Sequence, residues 1–304
     1  TITINRPEAM NALNETVVGQ LGTAIDKANA DDSVNTIVLD GAGKAFVAGA
    51  DVKFFVDKIR ADSFPDIYDF TADGHKVLNK LESSSKTTIA LTTGLSLGGG
   101  LELALSCDYR IGTRKTQFRF PETNIGIFPG LGGTQRPARI AGLPAARWAV
   151  LAGNFMDART AADLGLVTDL VDVTEVDSTI ASLDVKGKPA EKYPATPVNP
   201  ESKIAKFANS FYSDDNMDTL LNGGCPDGFD PEDKLVSRQL KSLSRTAPIA
   251  LRMASDLIDA AGTTELMTGL GQELDNLEAI FSTSDALEGL SALIEGRKPT
   301  YQNS

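Results

Sequence analysis

The stretch SLGGGLELAL, residues 96–105, sets three glycines directly before an apolar segment that carries a single acid, Glu102. Glycines ahead of a helix let backbone N–H groups approach a ligand, and the helix start adds the positive end of a dipole. Such a turn suits developing negative charge, although a lone run of glycines more often serves close helix packing. A second stretch, KAFVAGADVK at 44–53, again runs from a β-like segment through small residues into a helix. If the two turns converge, they present two N–H donors to one oxygen, the arrangement of an oxyanion hole. A third stretch, FPETNIGIFPGLGGTQR at 120–136, places a second acid, Glu122, ahead of a glycine-rich loop. Alone, Glu122 reads as a helix-capping or solvent-facing carboxylate, and its weight comes from the other two stretches.

The bulk properties narrow the setting. A chain of 304 residues, 41% hydrophobic, has the composition of a globular protein with one large core or two smaller ones. Its formal charge of −12, from 41 acids against 29 bases, disfavours a non-specific nucleic-acid or anionic-membrane binder. An anionic ligand must then meet a local cluster of bases or backbone N–H groups. Cys107 and Cys225 lack metal-ligand spacing and His75 is the only histidine, so no metal site is expected. No apolar run is long enough to span a bilayer, and a reducing, cytoplasmic compartment is expected. The first residues, TITINRP, read as the second half of a hairpin whose first half is missing, as in a processed chain or one region of a longer polypeptide.

Short β-like runs alternate with helical stretches up to about residue 176, the texture of an α/β architecture. Strands are predicted at 36–40, 45–48, 88–92, 109–112, 117–120 and 167–173, and amphipathic helices at 15–30 and 66–81. The spacing suggests a repeated strand-strand-helix unit. Residues 177–233, rich in Pro, Gly, Asp and Ser, read as an irregular insertion or linker, and helical patterns return at 234–261 and 264–293 as a C-terminal helical subdomain.

Taken together, these blocks resemble the enoyl-CoA hydratase/isomerase, or crotonase, superfamily. NRP at 5–7, NAL at 11–13, AFVAGAD, GGGLELAL, FPETNIGIFPGLGGTQR and AADLGLV at 161–167 stand in the family's order, and FSTSDALEG at 281–289 with EGRKP at 295–299 extends the match to the end. The resemblance implies a crotonase fold, an α/β spiral of ββα units closed by helical residues 234–304 that cover the active site and build a trimer or a dimer of trimers. It implies that the backbone N–H groups of Ala50 and Gly99 form the oxyanion hole for a thioester carbonyl and that Glu102 and Glu122 are the acid/base pair. It places substrate and coenzyme A along Ala12, Ala48, Asp51, Val52, Lys53 and Gly130, although Lys53 reads equally as a solvated helix lysine. Phe54 and Phe55 are expected in the core, with His75, Trp148 and Cys107 structural.

The retention of both acids points to hydration of a trans-2-enoyl-CoA, with no metal or redox cofactor; coenzyme A is part of the substrate. Two alternatives stay open: a specialised hydratase or hydrolase acting on a cyclic or branched acyl-CoA, and a non-catalytic acyl-CoA-binding or oligomerising module. An RNA-binding side role is disfavoured by the acidic balance. Two departures from the family pattern are the stretch SSKTTIALTTG at 84–94, which lacks the usual prolines around the lysine and the Val-Asn before the glycine, and the insertion at 177–233. Fused relatives join this module to a 3-hydroxyacyl-CoA dehydrogenase, but no dinucleotide fingerprint lies within these residues.

Overall fold

In the computed structural model, which describes residues 1–304, nine strands form two sheets that share the chain turn by turn. The strands are β1 (Ile2–Ile4), β2 (Thr36–Gly41), β3 (Ala45–Ala48), β4 (Thr87–Thr92), β5 (Leu95–Leu97), β6 (Tyr109–Gly112), β7 (Gln117–Arg119), β8 (Met156–Asp157) and β9 (Asp169–Leu170). From β2 on, the strands taken two at a time (β2 with β3, β4 with β5, β6 with β7, β8 with β9) send one member to each layer, and β1 adds to the first, giving a five-stranded sheet ordered β1-β2-β4-β6-β9 and a four-stranded one ordered β3-β5-β7-β8. Every pairing is parallel except β7 with β8. Parallel strands are covered on both faces, which is why runs such as TIVLD and TTIALT are nearly continuous in apolar and β-branched residues.

Helices α1 (Glu15–Ala30), α2 (Val52–Arg60), α3 (Phe64–Glu82), α4 (Gly99–Ser106), α5 (Arg136–Ala141), α6 (Leu143–Leu151) and α7 (Ala158–Asp163) fill the turns of this spiral. The start of α1 is set by Asn14, whose side chain accepts a hydrogen bond from the Val17 N–H at 2.9 Å. Eight helices follow: α8 (Val176–Lys186), α9 (Lys203–Phe211), α10 (Asp214–Leu221), α11 (Lys234–Leu243), α12 (Pro248–Ala260), α13 (Leu266–Asp275), α14 (Leu277–Phe281) and α15 (Ser284–Glu295). No helix is long and apolar enough to cross a membrane.

The strand-strand-helix spiral agrees with the sequence reading, and three details differ. Strands β5 and β8 are too short to show alternation, and only Asp169–Leu170 of the 167–173 run pairs. The residues 234–261 break into two helices before Pro248, which lacks the N–H a continuous helix would use. Residues 177–233 are irregular chiefly at 187–202 and 222–233. They hold α9 and α10 and most of α8, and Ala205, Ala208, Phe211, Tyr212, Met217 and Leu220 belong to the same hydrophobic core as Ile4 and Leu290. The sequence pattern does not mark these helices because α9 and α10 make only a little over two turns each, too short for their apolar spacing to stand out from the Pro- and Gly-rich flanks. Within α9, Ile204, Phe207, Ala208 and Phe211 nevertheless repeat at helical spacing. The remaining helix, α8, lays Val176 and Leu183 against Val38, Ile89, Tyr109 and Ile111, a small second core on the five-stranded sheet.

Candidate active site

The two small-residue turns lie side by side because the strands leading into them are paired. In the parallel register of β3 and β5, Ala48 faces Leu97, and Ala50 and Gly99 each follow two residues later. Adjacent strands run about 4.8 Å apart, so both residues emerge at the same end of the four-stranded sheet. The neighbouring amides are engaged: Asp51 N–H donates to Leu13 O at 2.8 Å and Gly98 N–H to Arg119 O at 2.9 Å. Neither the Ala50 nor the Gly99 N–H has an acceptor among the turn, loop and cap bonds, and Gly99, as the first residue of α4, has none within its helix. Buried Asn11 frames the first turn by donating from Nδ2 to Ala42 O, Ala45 O and Phe46 O, while its Oδ1 accepts from Arg6 N–H. Arg6 in turn donates to Ala12 O at 3.2 Å and pairs with Asp51 at 3.1 Å. The NRP and NAL blocks therefore serve to shape this turn.

The three glycines have separate structural reasons. Gly98 has φ +47° and ψ −123°, a conformation in which a Cβ is strained. A Cβ on Gly100 would lie 2.0 Å from Val47 O, so this glycine lets α4 sit directly on β3. One on Gly99 would meet only side-chain ends, those of Leu131 and Leu13 at tight to ordinary distances and Glu102 Oε2 at 3.8 Å.

Both acids are buried beside these glycines. Glu102, in the first turn of α4, accepts the N–H groups of Leu131 and Gly133 on Oε1, each at 2.7 Å. Burial pushes its pKa up to about 7, against the lowering effect of those two amides and of Arg136. Glu122 opens the 3-10 turn Glu122–Ile125 after β7, and a Cβ on Gly98 would lie 2.1 Å from its Oε1. Its Oε2 is buried with no partner, and burial followed by repulsion from Glu102 holds its pKa well above the usual carboxylate range. The proton held between the two is favoured on Glu122, whose carboxyl meets no amide but its own, while Glu102 accepts two from the facing loop.

A third buried acid, Glu273 on α13, comes to the same loop. It accepts the Gly132 and Thr134 N–H groups at 2.6 and 3.1 Å and the Thr134 hydroxyl at 2.5 Å. Burial and repulsion from Glu102 raise its pKa to about 8. No sequence signal marked Glu273, because α13 lies far along the chain and its acid resembles any solvent-facing helix carboxylate.

The expected binding residues divide. Gly130 borders the acids, its carbonyl accepting from His75 Nε2 at 2.7 Å. His75 is buried, and desolvation lowers its pKa to about 4, so the ring is a neutral donor and structural, as the sequence suggested. Ala12, Ala48, Asp51 and Val52 surround the Ala50 turn. Lys53 points into solvent, its side chain 73% exposed and paired with Asp57 one helical turn away. Phe55 is buried and stacks on Phe281, and Phe54 packs on Phe55 and Phe70. Trp148 and Cys107 are core residues.

Comparison with known proteins places this geometry in a family. The sequence model described as enoyl-CoA hydratase/isomerase matches residues 1–304. The chain is 31% identical over 300 residues to a probable enoyl-CoA hydratase of Mycobacterium bovis, covering 99% of this chain and 93% of that one. It is 30% identical over 298 residues to the short-chain-enoyl-CoA hydratase of Clostridium acetobutylicum, covering 98% and 91%. The fold is also that of the crystal structure of an enoyl-CoA hydratase from Rhodobacter sphaeroides 2.4.1, with a TM-score of 0.79 at 24% identity over 99% of this chain and 88% of that one. The chain is a member of the enoyl-CoA hydratase/isomerase family, and the match runs from its first described residue to its last.

Proposed function

We propose that the protein is an enoyl-CoA hydratase, reversibly adding water across the double bond of a trans-2-enoyl-CoA to give a 3-hydroxyacyl-CoA. The observation that carries this reading is the pairing of two acceptor-free N–H groups, Ala50 and Gly99, with two buried acids of opposite donor supply, Glu102 and Glu122. The thioester carbonyl accepts both N–H groups. As the water oxygen bonds to Cβ, the π electrons move toward that carbonyl and the two dipoles hold the developing charge. Ionised Glu102 takes the proton from the water, and Glu122 gives its proton to Cα. The acid pair holds one proton before and after, so the cycle closes once the two carboxyls exchange it. The reaction so written calls for no metal or redox cofactor.

Coenzyme A is proposed to run past Ala12, Ala48, Asp51, Val52 and Lys53, with the acyl group reaching toward Gly130. We further propose a trimer or a dimer of trimers built through the C-terminal helices. Met267, Leu293 and Ile294 support this, large apolar side chains more than half exposed on α13 and α15. A cytoplasmic setting completes the proposal.

The test follows the loss of enoyl-thioester absorbance with crotonyl-CoA and a longer enoyl-CoA, with free thiol measured in parallel. Wild type should consume the enoyl thioester without releasing thiol, and Glu102→Gln and Glu122→Gln should each lose about 100-fold or more in kcat. Thiol release would replace hydration by hydrolysis, and binding of the CoA ester without turnover would make the chain a binding module.

A further inference from the structure

The four amides that follow Gly130 alternate between two carboxylates. Leu131 and Gly133 donate to Glu102, whereas Gly132 and Thr134 donate to Glu273. The loop is thus threaded between an acid on α4 and an acid on α13, with Arg136 tying it from a third side by donating to Leu131 O at 2.8 Å. The fit on the α13 side leaves no slack, since a Cβ on Gly269 would lie 1.8 Å from Gln135 Oε1. Gln135 also reaches back to the Thr134 hydroxyl and to Leu257 O on α12. The other charged or titratable groups at this loop are already engaged: Arg136 with Glu82, and His75 with Gly130 O, its Nε2 lying 3.7 Å from Glu273 Oε2.

We infer that Glu273 is a positioning residue for Glu102: by fixing the Gly132 and Thr134 amides it turns the alternate amides, those of Leu131 and Gly133, onto the Glu102 carboxylate. The inference rests on the hydratase reading, in which Glu102 receives the proton of water. In this loop the donors alternate residue by residue between the two acids, and each amide shares a peptide plane with the carbonyl before it, so holding one pair restricts the direction of the other. Without the Glu273 grip the loop keeps its Arg136 tie but loses the constraint on amide direction. Glu102 then loses part of the hydrogen bonding that keeps it ionised and aimed. The acid sits on a helix distant in sequence from Glu102, so the C-terminal helices act on the reaction through this loop without touching substrate.

The experiment is a double-mutant cycle on crotonyl-CoA hydration with Glu273→Gln, Glu102→Gln and the double variant, each compared with wild type. Glutamine keeps the shape of Glu273 and one acceptor but presents an amide to one of the two N–H donors. We expect a loss of about tenfold in kcat with KM changed by less than about threefold, and almost no further loss when the change is made in the Glu102→Gln background. An equal loss in both backgrounds, or an unchanged kcat in the single variant, overturns the positioning role. A variant that does not fold is replaced by Thr134→Val, which removes the hydroxyl donor from Glu273 and leaves the Gly132 and Thr134 N–H bonds, loosening the grip without abolishing it; the same vanishing in the Glu102→Gln background is expected on a smaller loss. Wild-type turnover separates the two readings, because an inert wild type refutes the hydratase assignment, whereas an active wild type with an additive cycle refutes only the role of Glu273.

Discussion

Gly98, Gly99 and Gly100 are consecutive and chemically identical, yet their replacement by alanine should have three different outcomes. At Gly98 the methyl group would arrive 2.1 Å from Glu122 Oε1 on a backbone with φ +47°. The backbone conformation costs on the order of 1–3 kcal/mol for a non-glycine residue. Relief of the clash requires the carboxyl to move about 1 Å to reach ordinary contact distance, and a misplacement of that size costs about 100-fold in rate. Gly98→Ala should therefore fold, melt a few degrees lower and lose about 100-fold in kcat. At Gly100 the methyl group would meet the Val47 carbonyl at 2.0 Å, a backbone atom in a paired strand. Overpacking of this kind costs about 3 kcal/mol or more, so Gly100→Ala should chiefly lose soluble protein. At Gly99 the nearest atoms are the ends of Leu131 and Leu13, at 3.3 and 3.5 Å, and the N–H remains. Gly99→Ala should stay within about threefold of wild type in kcat. The assays are thermal melting and steady-state hydration of crotonyl-CoA on the three purified variants. Equal kcat losses at Gly98 and Gly99, or a Gly98→Ala enzyme with wild-type kcat, would show that the Glu122 carboxyl is not confined where the reaction needs it.

Three further outcomes follow from the same structure. Glu102, Glu122 and Glu273 all have raised pKa values, so the folded chain holds protons that the unfolded chain releases above the ordinary carboxyl range, and stability should fall as pH rises through about 7 to 8. Urea unfolding at pH 5 and pH 8 should find Glu122→Gln more stable than wild type at the higher pH by on the order of 1–3 kcal/mol, and a wild-type stability that does not change between the two would sink this. Asn11→Ala removes the shared donor of Ala42 O, Ala45 O and Phe46 O, and should cost about 2–4 kcal/mol in the same assay; a loss below about 1 kcal/mol would mean that other donors take over. Lys53→Ala breaks an exposed pair with Asp57, so its melting temperature should stay put, and a rise in KM for the CoA ester alone would place the lysine beside the nucleotide, while unchanged kinetics would leave it a solvated helix residue.

How far the sequence could be read depended on the reach of the interactions involved. The strands at 36–40, 45–48 and 109–112 and the helix at 15–30 were legible because each carries its own periodicity or apolar run and, at Asn14, its own cap. Glu102 and Glu122 were legible because each stands in a glycine-rich stretch, although the glycine each packs against most closely, Gly133 for Glu102 and Gly98 for Glu122, belongs to the other stretch. The side-by-side placement of Ala50 and Gly99 was not, since it depends on the register of β3 with β5, a pairing across about fifty residues. Glu273 was hidden for the same reason, its partners Gly132 and Thr134 lying far upstream. The role of residues 177–233 was hidden too: Lys192 and Tyr193, in a stretch that reads as linker, pair with Glu82 behind the glycine-rich loop, and Glu82 holds Arg136.

The glycines invite a reinterpretation. Read in sequence, glycine-rich turns suggest room for the backbone to approach a ligand. In the structure, the space that a Cβ would fill at several of them is already taken by the protein's own polar and charged atoms. Beside the Glu122 oxygen at Gly98, a Cβ at Gly133 would lie 2.8 Å from Glu102 Oε1, one at Gly132 1.8 Å from Arg136 Nη1, and one at Gly126 2.3 Å from Asp285 O. Buried charges need close donors and counter-charges, and a loop without side chains can bring its amides against them at the shortest distances. The glycine pattern is therefore required first by the acids and only then by the substrate. Burial is what raises both pKa values, and the amides that the loop presses onto Glu102 offset part of that rise. A chain that kept both acids but replaced these glycines would have no room for the carboxyls at the geometry the reaction uses.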